Sequence, residues 1–175
     1  MDMLSKNMEG LDKKVWWGYI EEDLRDLLEE SLLLIDTLRG LGADLPGGKT
    51  KFYDYSFVVF PAAKAYEGFL KKLFLDLKFI TENDYYGKHF RIGKALNPFL
   101  PKNIRDDSWV YSKIVKFCDG KDLADNLWET WRVSRNLIFH WFPDEKNAIS
   151  LLEAEERVNL VIQTIDRAFK ECRIK

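Results

Sequence analysis

The chain has 175 residues, of which 46% are hydrophobic, so it is long and apolar enough to bury the core of one domain. Its 27 basic and 29 acidic residues give a net charge of −2, and proteins that coat nucleic acid usually have a basic excess. Any contact with RNA is therefore expected at a local basic patch. No apolar run approaches the roughly 20 residues that span a bilayer.

The N-terminus contains polar residues of both charge signs and lacks the apolar core of a secretory signal. We therefore expect a cytoplasmic protein without a membrane partner. Residues 1–175 are predicted to form a single domain, with residues 1–11 as a flexible N-terminus. Cys118 and Cys172 lie far apart and outside any C-x-x-C spacing, so they are interpreted as ordinary thiols, with neither a disulfide framework nor a zinc site.

Apolar residues at three- and four-residue steps predict a long amphipathic helix from about Asp12 to Arg39, which Gly40 is expected to end. A second long helix is predicted from about Tyr55 to Ile80. The alternative is a short strand over residues 57–60, with a helix beginning at Pro61. We prefer one helix kinked at Pro61, because no partner strand is visible elsewhere.

The second half of the chain contains two further long helices and several short ones. The predicted segments, in chain order, are short turns at about 90–96, a short helix at 108–117, a helix at 121–141 ended by Pro143, and a last helix that opens with the capping-box pattern Ser150-x-x-Glu153. The fold class is therefore all-α, a bundle of four main helices plus short accessory helices.

One polar cluster on the third long helix does not fit a hydrophobic core: Arg135-Asn136-x-x-x-His140. On an ideal helix Asn136 and His140 lie one turn apart on one face, and Arg135 is rotated from His140 by about 140°. A guanidinium binds phosphate oxygens through paired donors, and an imidazole transfers protons near neutral pH. This combination suits RNA cleavage by the 2′-hydroxyl without a metal, with His140 as acid or base and Arg135 stabilising the phosphorane.

Each of these residues also has a purely structural interpretation. His140 is flanked by aromatic residues, as capping or core histidines often are. Arg132 on the same helix is a candidate for RNA binding or for a salt bridge to Glu129. Glu67, at the edge of the apolar stripe of the second helix, is by itself a solvated residue paired with a nearby lysine.

The irregular stretch of residues 83–107 mixes basic and aromatic residues. Lys88, Arg91 and Lys94 are the basic candidates for contact with RNA, because cations follow phosphates while rings stack on bases. The same composition suits a surface loop whose rings enter the core. Both interpretations remain open at this stage.

The Arg-polar-x-x-x-His signature near the end of a long helix, in a small all-α chain, resembles the HEPN superfamily. HEPN nucleases have R-x4-6-H, commonly with Asn, Asp or His directly after the Arg, as in Arg135-Asn136-x-x-x-His140. Residues 148–154 look like the entry to the last HEPN helix. Residues 55–62 followed by Glu67-Gly68 are similar to the HEPN domain of RNase LS-type toxins, and that likeness extends over about residues 51–169.

The resemblance implies a metal-independent endoribonuclease that needs no cofactor and works on RNA as a homodimer. In such proteins the motif helices of two subunits meet, and both Arg-His pairs line one cleft. An acidic residue of the preceding long helix often joins the site, which here implies Glu67. The expected catalytic residues are then Arg135, Asn136, His140 and Glu67, with Arg132 and the basic residues of the 83–107 stretch as RNA contacts.

The resemblance further implies a toxin or defence effector, restrained by an antitoxin or a regulatory partner. The main alternative is a non-catalytic HEPN module that binds a nucleotide or a partner protein in the same cleft. A third alternative is a helical adaptor in which the motif is only a salt-bridged helix end.

Overall fold

A computed structural model describes residues 10–42, 51–118, 120–141, 143–144 and 147–172. These ranges contain no β-strand, so the all-α prediction is confirmed. None of the helices in them has both the length and the apolarity that crossing a bilayer requires. The helices are α1 (Glu22–Gly40), α2 (Ser56–Asp76), α3 (Glu82–Tyr86), α4 (Ile92–Leu96), α5 (Tyr111–Phe117), α6 (Lys121–Trp131) and α7 (Leu151–Glu171), with a 3₁₀ turn at Lys102–Ile104 and a π-helical segment at Arg132–Asn136.

Helix α2 lies at the centre of the molecule. It packs along α1 and α7, and it also contacts α6 and the π-helical segment. Side chains around most of its circumference are therefore buried, among them Phe69, Leu70 and Leu73 with no exposed surface. Phe60 and Lys64 are exposed and Glu67 is half-buried. We call these three residues the α2 edge, because they follow one another at helical spacing along the one side that neighbouring helices leave open.

Pro61 lies inside α2, which begins before it and continues to Asp76, so the prediction of one helix is confirmed. Proline lacks an N–H group and its ring disturbs the preceding helical turn. At this point Ser31 of α1, whose side chain is fully buried, accepts a hydrogen bond from the N–H of Ala62 at 2.9 Å. The hydroxyl group of α1 thus provides an acceptor beside the proline.

The first helix starts later than predicted, at Glu22 instead of Asp12. Residues 10–20 form successive turns, while Leu11, Trp16 and Ile20 are buried. The apolar spacing in this segment therefore reflects tertiary burial of a turning chain. Residues 1–9 of the predicted flexible N-terminus lie outside the described residues.

The two cysteines were predicted to be separate thiols, and that prediction is wrong. Cys118 follows α5, Cys172 follows α7, and their sulfur atoms are bonded at 2.16 Å across a sequence separation of 54 residues. No local spacing in the sequence reveals that the ends of these two helices meet.

The capping box at the start of α7 is confirmed. Ser150 Oγ accepts from the N–H of Glu153 at 3.2 Å, and the Glu153 carboxylate accepts from the N–H of Ser150 at 2.7 Å. The bond from the N–H of Ser150, together with one from its hydroxyl group, holds the pKa of the Glu153 carboxyl below its usual value. The start of α7 is therefore fixed by residues three positions apart.

Replacing Ser31 by alanine is expected to destabilise the fold, because the buried N–H of Ala62 loses its side-chain acceptor. The free energy of unfolding should fall by about 1–3 kcal/mol in urea titrations followed by circular dichroism. Thr37→Ala, at an exposed position of the same helix, is the control and should change it by no more than about 0.5 kcal/mol. Equal stability of the two variants would contradict this role of Ser31.

Candidate active site

The Arg135–His140 motif starts in a π-helical segment instead of a regular α-helix. The N–H of Leu137 donates to the carbonyl of Arg132, five residues earlier, at 2.9 Å. Turns follow at residues 137–139, and His140 lies beyond the helix. The helix was predicted to extend to residue 141, but the helical structure ends at Asn136. Asn136 and His140 therefore do not share a face of one regular helix.

Burial gives a physical reason for the wider turn. Val133, Ser134 and Ile138 are all buried, and Val133 and Ile138 are five residues apart. In a segment with i to i+5 hydrogen bonds, residues at this spacing lie on the same side. Core contacts therefore favour a π turn over continued α-helix here.

Arg135 lies beside the α2 edge. Its Nε atom is 4.0 Å from a carboxylate oxygen of Glu67, and the two side chains are 40% and 34% exposed. Its guanidinium carbon is 5.7 Å from the centre of the Trp131 ring, within the range of a cation–π contact. The structure therefore brings together two of the predicted catalytic residues. By itself Glu67 was expected to pair with a nearby lysine, whereas the structure places Arg135 of a distant segment beside it.

Trp131 itself depends on a glycine of α4. A Cβ atom at Gly93 would lie 2.3 Å from Cη2 of Trp131, so only a residue without a side chain leaves room for this ring. Trp131 also stacks on Trp128, with ring centres 5.4 Å apart and planes 22° apart. Gly93 therefore determines the position of the ring that contacts Arg135.

His140 is exposed and lines an open groove of about 630 Å³ at the N-terminal end of α2. Its backbone carbonyl accepts a hydrogen bond from Asn147 Nδ2 at 3.0 Å. Phe60 and Phe139 meet edge to face in the groove wall, with ring centres 5.5 Å apart. The described lining residues are Tyr53, Asp54, Ser56, Phe60, Ile138, Phe139, His140, Trp141, Pro143, Asn147 and Ala148.

The two chemical groups of the motif occupy different positions along α2. Phe60 contacts the segment that contains His140, while Glu67 contacts Arg135. Seven helical positions separate these two α2 residues, which is about 10 Å along the helix axis. Arg135 is not among the described lining residues of the groove, and Asn136 is half-buried at the end of the π-helical segment.

Arg132 was a candidate either for RNA binding or for a salt bridge to Glu129, and the structure contains the salt bridge. Its Nε and a terminal nitrogen donate to the two carboxylate oxygens of Glu129 at 2.8 and 2.6 Å. These bonds lower the pKa of the Glu129 carboxyl and raise that of the Arg132 guanidinium. The positive charge of Arg132 is therefore balanced within its own helical turn.

The basic residues of the 83–107 stretch make contacts within that stretch. Lys94 donates to Asp106, and this bond is the main cause that lowers the pKa of Asp106 to about 2. Arg91 donates to the backbone carbonyl of Lys88, and Lys88 itself is exposed. The aromatic rings of the stretch differ in exposure, since Phe90 is buried and Phe99 is 82% exposed. None of the described contacts joins these cations to the motif.

No protein-family model matches the chain, and no curated protein or solved structure shows significant similarity to it. Within the described ranges, no three His, Cys, Asp or Glu side chains are grouped as metal ligands. The groove beside His140 and the role of Gly93 were not predicted. The one sequence signal for the groove is the run of aromatic residues on both sides of His140.

Replacing Gly93 by alanine is expected to displace Trp131, because the added methyl group overlaps its ring. The near-UV circular dichroism of the stacked tryptophans should change, and the free energy of unfolding should fall by about 1–3 kcal/mol. Gly18→Ala is the control, since a Cβ there meets nothing within 4 Å. Identical spectra and stability for Gly93→Ala and the wild type would show that the ring does not depend on Gly93.

Proposed function

We propose that the protein is a metal-independent endoribonuclease of HEPN type that works as a homodimer. The main support is the contact between Glu67 of α2 and Arg135 of the motif. The exposure of His140 is a second supporting observation. The family resemblance implies this combination of an acidic residue from the preceding long helix with an Arg-His pair. The all-helical fold is consistent with it.

The proposed reaction is attack of the ribose 2′-hydroxyl on the adjacent phosphorus atom. The bond to the 5′-oxygen breaks, and the products are a 2′,3′-cyclic phosphate and a free 5′-hydroxyl. One group removes the proton of the 2′-hydroxyl and another protonates the departing 5′-oxygen. His140 performs one of these transfers, because it is the exposed imidazole of the motif.

Arg135 stabilises the negative charge that builds on the phosphorane oxygens. Glu67 lies beside its Nε atom, which leaves the terminal nitrogens as the donors that bind phosphate. Contacts with Glu67 and the Trp131 ring restrict the guanidinium before substrate binds. Asn136 is assigned a hydrogen-bonding role that positions the substrate.

The separation of the motif residues along α2 favours a composite site. Arg135 lies near Glu67 and His140 near Phe60, about two helical turns apart. In the proposed dimer the motif segments of two copies meet, so that arginine and histidine from both copies line one cleft. An enzyme of this kind needs restraint in the cell, and a toxin or defence effector with an antitoxin or regulatory partner fits that need.

A non-catalytic module that binds a nucleotide or a partner protein is the second candidate. The observation in its favour is the groove beside His140, whose lining includes four aromatic rings besides the imidazole. Such a surface suits recognition whether or not a reaction follows. The two candidates differ in one measurable property, the cleavage of RNA.

Purified protein is expected to cleave end-labelled single-stranded RNA in excess EDTA, leaving 2′,3′-cyclic phosphate ends. His140→Ala and Arg135→Ala should each reduce the rate by about 10²- to 10⁴-fold, since each removes a group that acts in the transition state. His89→Ala removes the other histidine of the chain, which is also exposed, and should leave the rate unchanged.

Cleavage by His140→Ala at the wild-type rate would rule out the proposed chemistry. If no form cleaves any RNA, the binding module becomes the better explanation. Sedimentation of the active protein as a monomer would contradict the composite site while leaving the role of His140 in place.

Glu67→Gln keeps the shape of the side chain but removes the charge beside Arg135. Cleavage should slow by about 10-fold, because the guanidinium is less well positioned. The free energy of unfolding should change by less than about 1 kcal/mol, since a half-exposed ion pair adds little stability. Glu156→Gln, at an exposed position of α7, is the matched control. Full activity of Glu67→Gln would remove Glu67 from the site.

A further inference from the structure

We infer that the groove beside His140 is a binding subsite for one unpaired base of single-stranded RNA, next to the phosphate that is cleaved. This inference rests on the proposed function, because it names the part of the substrate that the site holds. The groove is open and has a volume of about 630 Å³, within the usual range of roughly 300–1,000 Å³ for small-ligand sites.

The aromatic rings of the groove are unusually exposed. Tyr53 is 84% exposed, Trp141 82% and Phe60 52%, and Phe139 packs edge to face against Phe60. Flat apolar rings that face solvent near positively charged side chains are the surfaces on which unpaired bases stack. Stacking tolerates different bases, because every base has a flat π face.

One polar side chain of the groove, that of Asn147, is suited to binding the edge of a base. Asn147 donates its Nδ2 hydrogen to the carbonyl of His140, so its amide has a fixed direction. The amide oxygen at the other end is an acceptor of the kind that binds an exocyclic amino group. Asp54 has a structural role instead, since Oδ1 accepts from the N–H groups of Ser56 and Ile149 at 3.0 and 3.1 Å.

The α2 edge continues from the groove towards Arg135. The ammonium group of Lys64 is 5.8 Å from the centre of the Phe60 ring, one helical turn beyond the groove. Glu67 and Arg135 follow one turn later. A base in the groove would therefore have its adjacent phosphates near Lys64 and Arg135. These two positive side chains can bind the negative backbone, while the Glu67 carboxylate faces Arg135 Nε and leaves the terminal nitrogens of that arginine towards the phosphate.

The test uses a short single-stranded 2′-O-methyl oligonucleotide that contains one 2-aminopurine. It cannot be cleaved, because it lacks the attacking 2′-hydroxyl, and the emission of 2-aminopurine falls when the base stacks. A second oligonucleotide of equal length has abasic positions throughout, so that it keeps the backbone charge without any base. Affinities of both are measured by competition at one fixed salt concentration.

Wild-type protein should quench the 2-aminopurine emission and bind the base-containing oligonucleotide more tightly than the abasic one. Trp141→Ala and Phe60→Ala should each weaken binding of the former by about 5- to 150-fold, the range expected for one stacked base. Binding of the abasic oligonucleotide should not change. Phe117→Ala removes a ring of similar exposure, 59%, outside both the groove and the 83–107 stretch, and it should have no effect on either.

The inference is overturned if the groove variants bind both oligonucleotides as the wild type does. It is also overturned if the variants bind both oligonucleotides more weakly by the same factor, because the lost contact would then not involve a base. A change in the oligomeric state alone would overturn it as well, because the rings would then contact a second copy of the chain. Failure of the proposed function would give a different experimental result. In that case native RNA stays intact, while binding that requires a base and Trp141 persists.

Discussion

The burial of α2 is the constraint on which the rest of the molecule depends. Helices α1, α6 and α7 pack against it, and the α2 edge lies on the side that they leave open. Both parts of the candidate site are attached to this edge, the groove through Phe60 and the guanidinium of Arg135 through Glu67. A site built on a helix that is packed on most sides is more precisely positioned than one built on loops. Ser31 supports the same helix from the α1 side, next to Pro61.

The π-helical segment at Arg132–Asn136 explains why the motif does not have ideal helical geometry. The extra residue in its turn keeps Val133 and Ile138 in the core and ends the regular helix before His140. π-helical turns occur frequently at functional sites, because they reorient side chains that a regular helix would place elsewhere. In this chain the result is an arginine beside α2 and a histidine in a separate open groove.

A net charge of −2 is compatible with the proposed action on RNA if the positive charges are concentrated at the site. Arg132 and Lys94 are paired with Glu129 and Asp106, so their charges are largely balanced locally. Lys64 lies on the α2 edge near the Phe60 ring of the groove, and Arg135 lies farther along that edge, beside Glu67. In the proposed function, affinity for RNA comes from these two positive side chains combined with base stacking, instead of from an extended basic face.

The sequence by itself determined the features that depend on residues a few positions apart. The all-α class follows from apolar spacing, the start of α7 from Ser150 and Glu153, and the motif from its own residue types. The contact between Glu67 and Arg135, the bond between Cys118 and Cys172, and the groove at His140 were decided by tertiary structure. The physical reason is that propensity and capping act within one or two helical turns, whereas these contacts join segments that only core packing brings together.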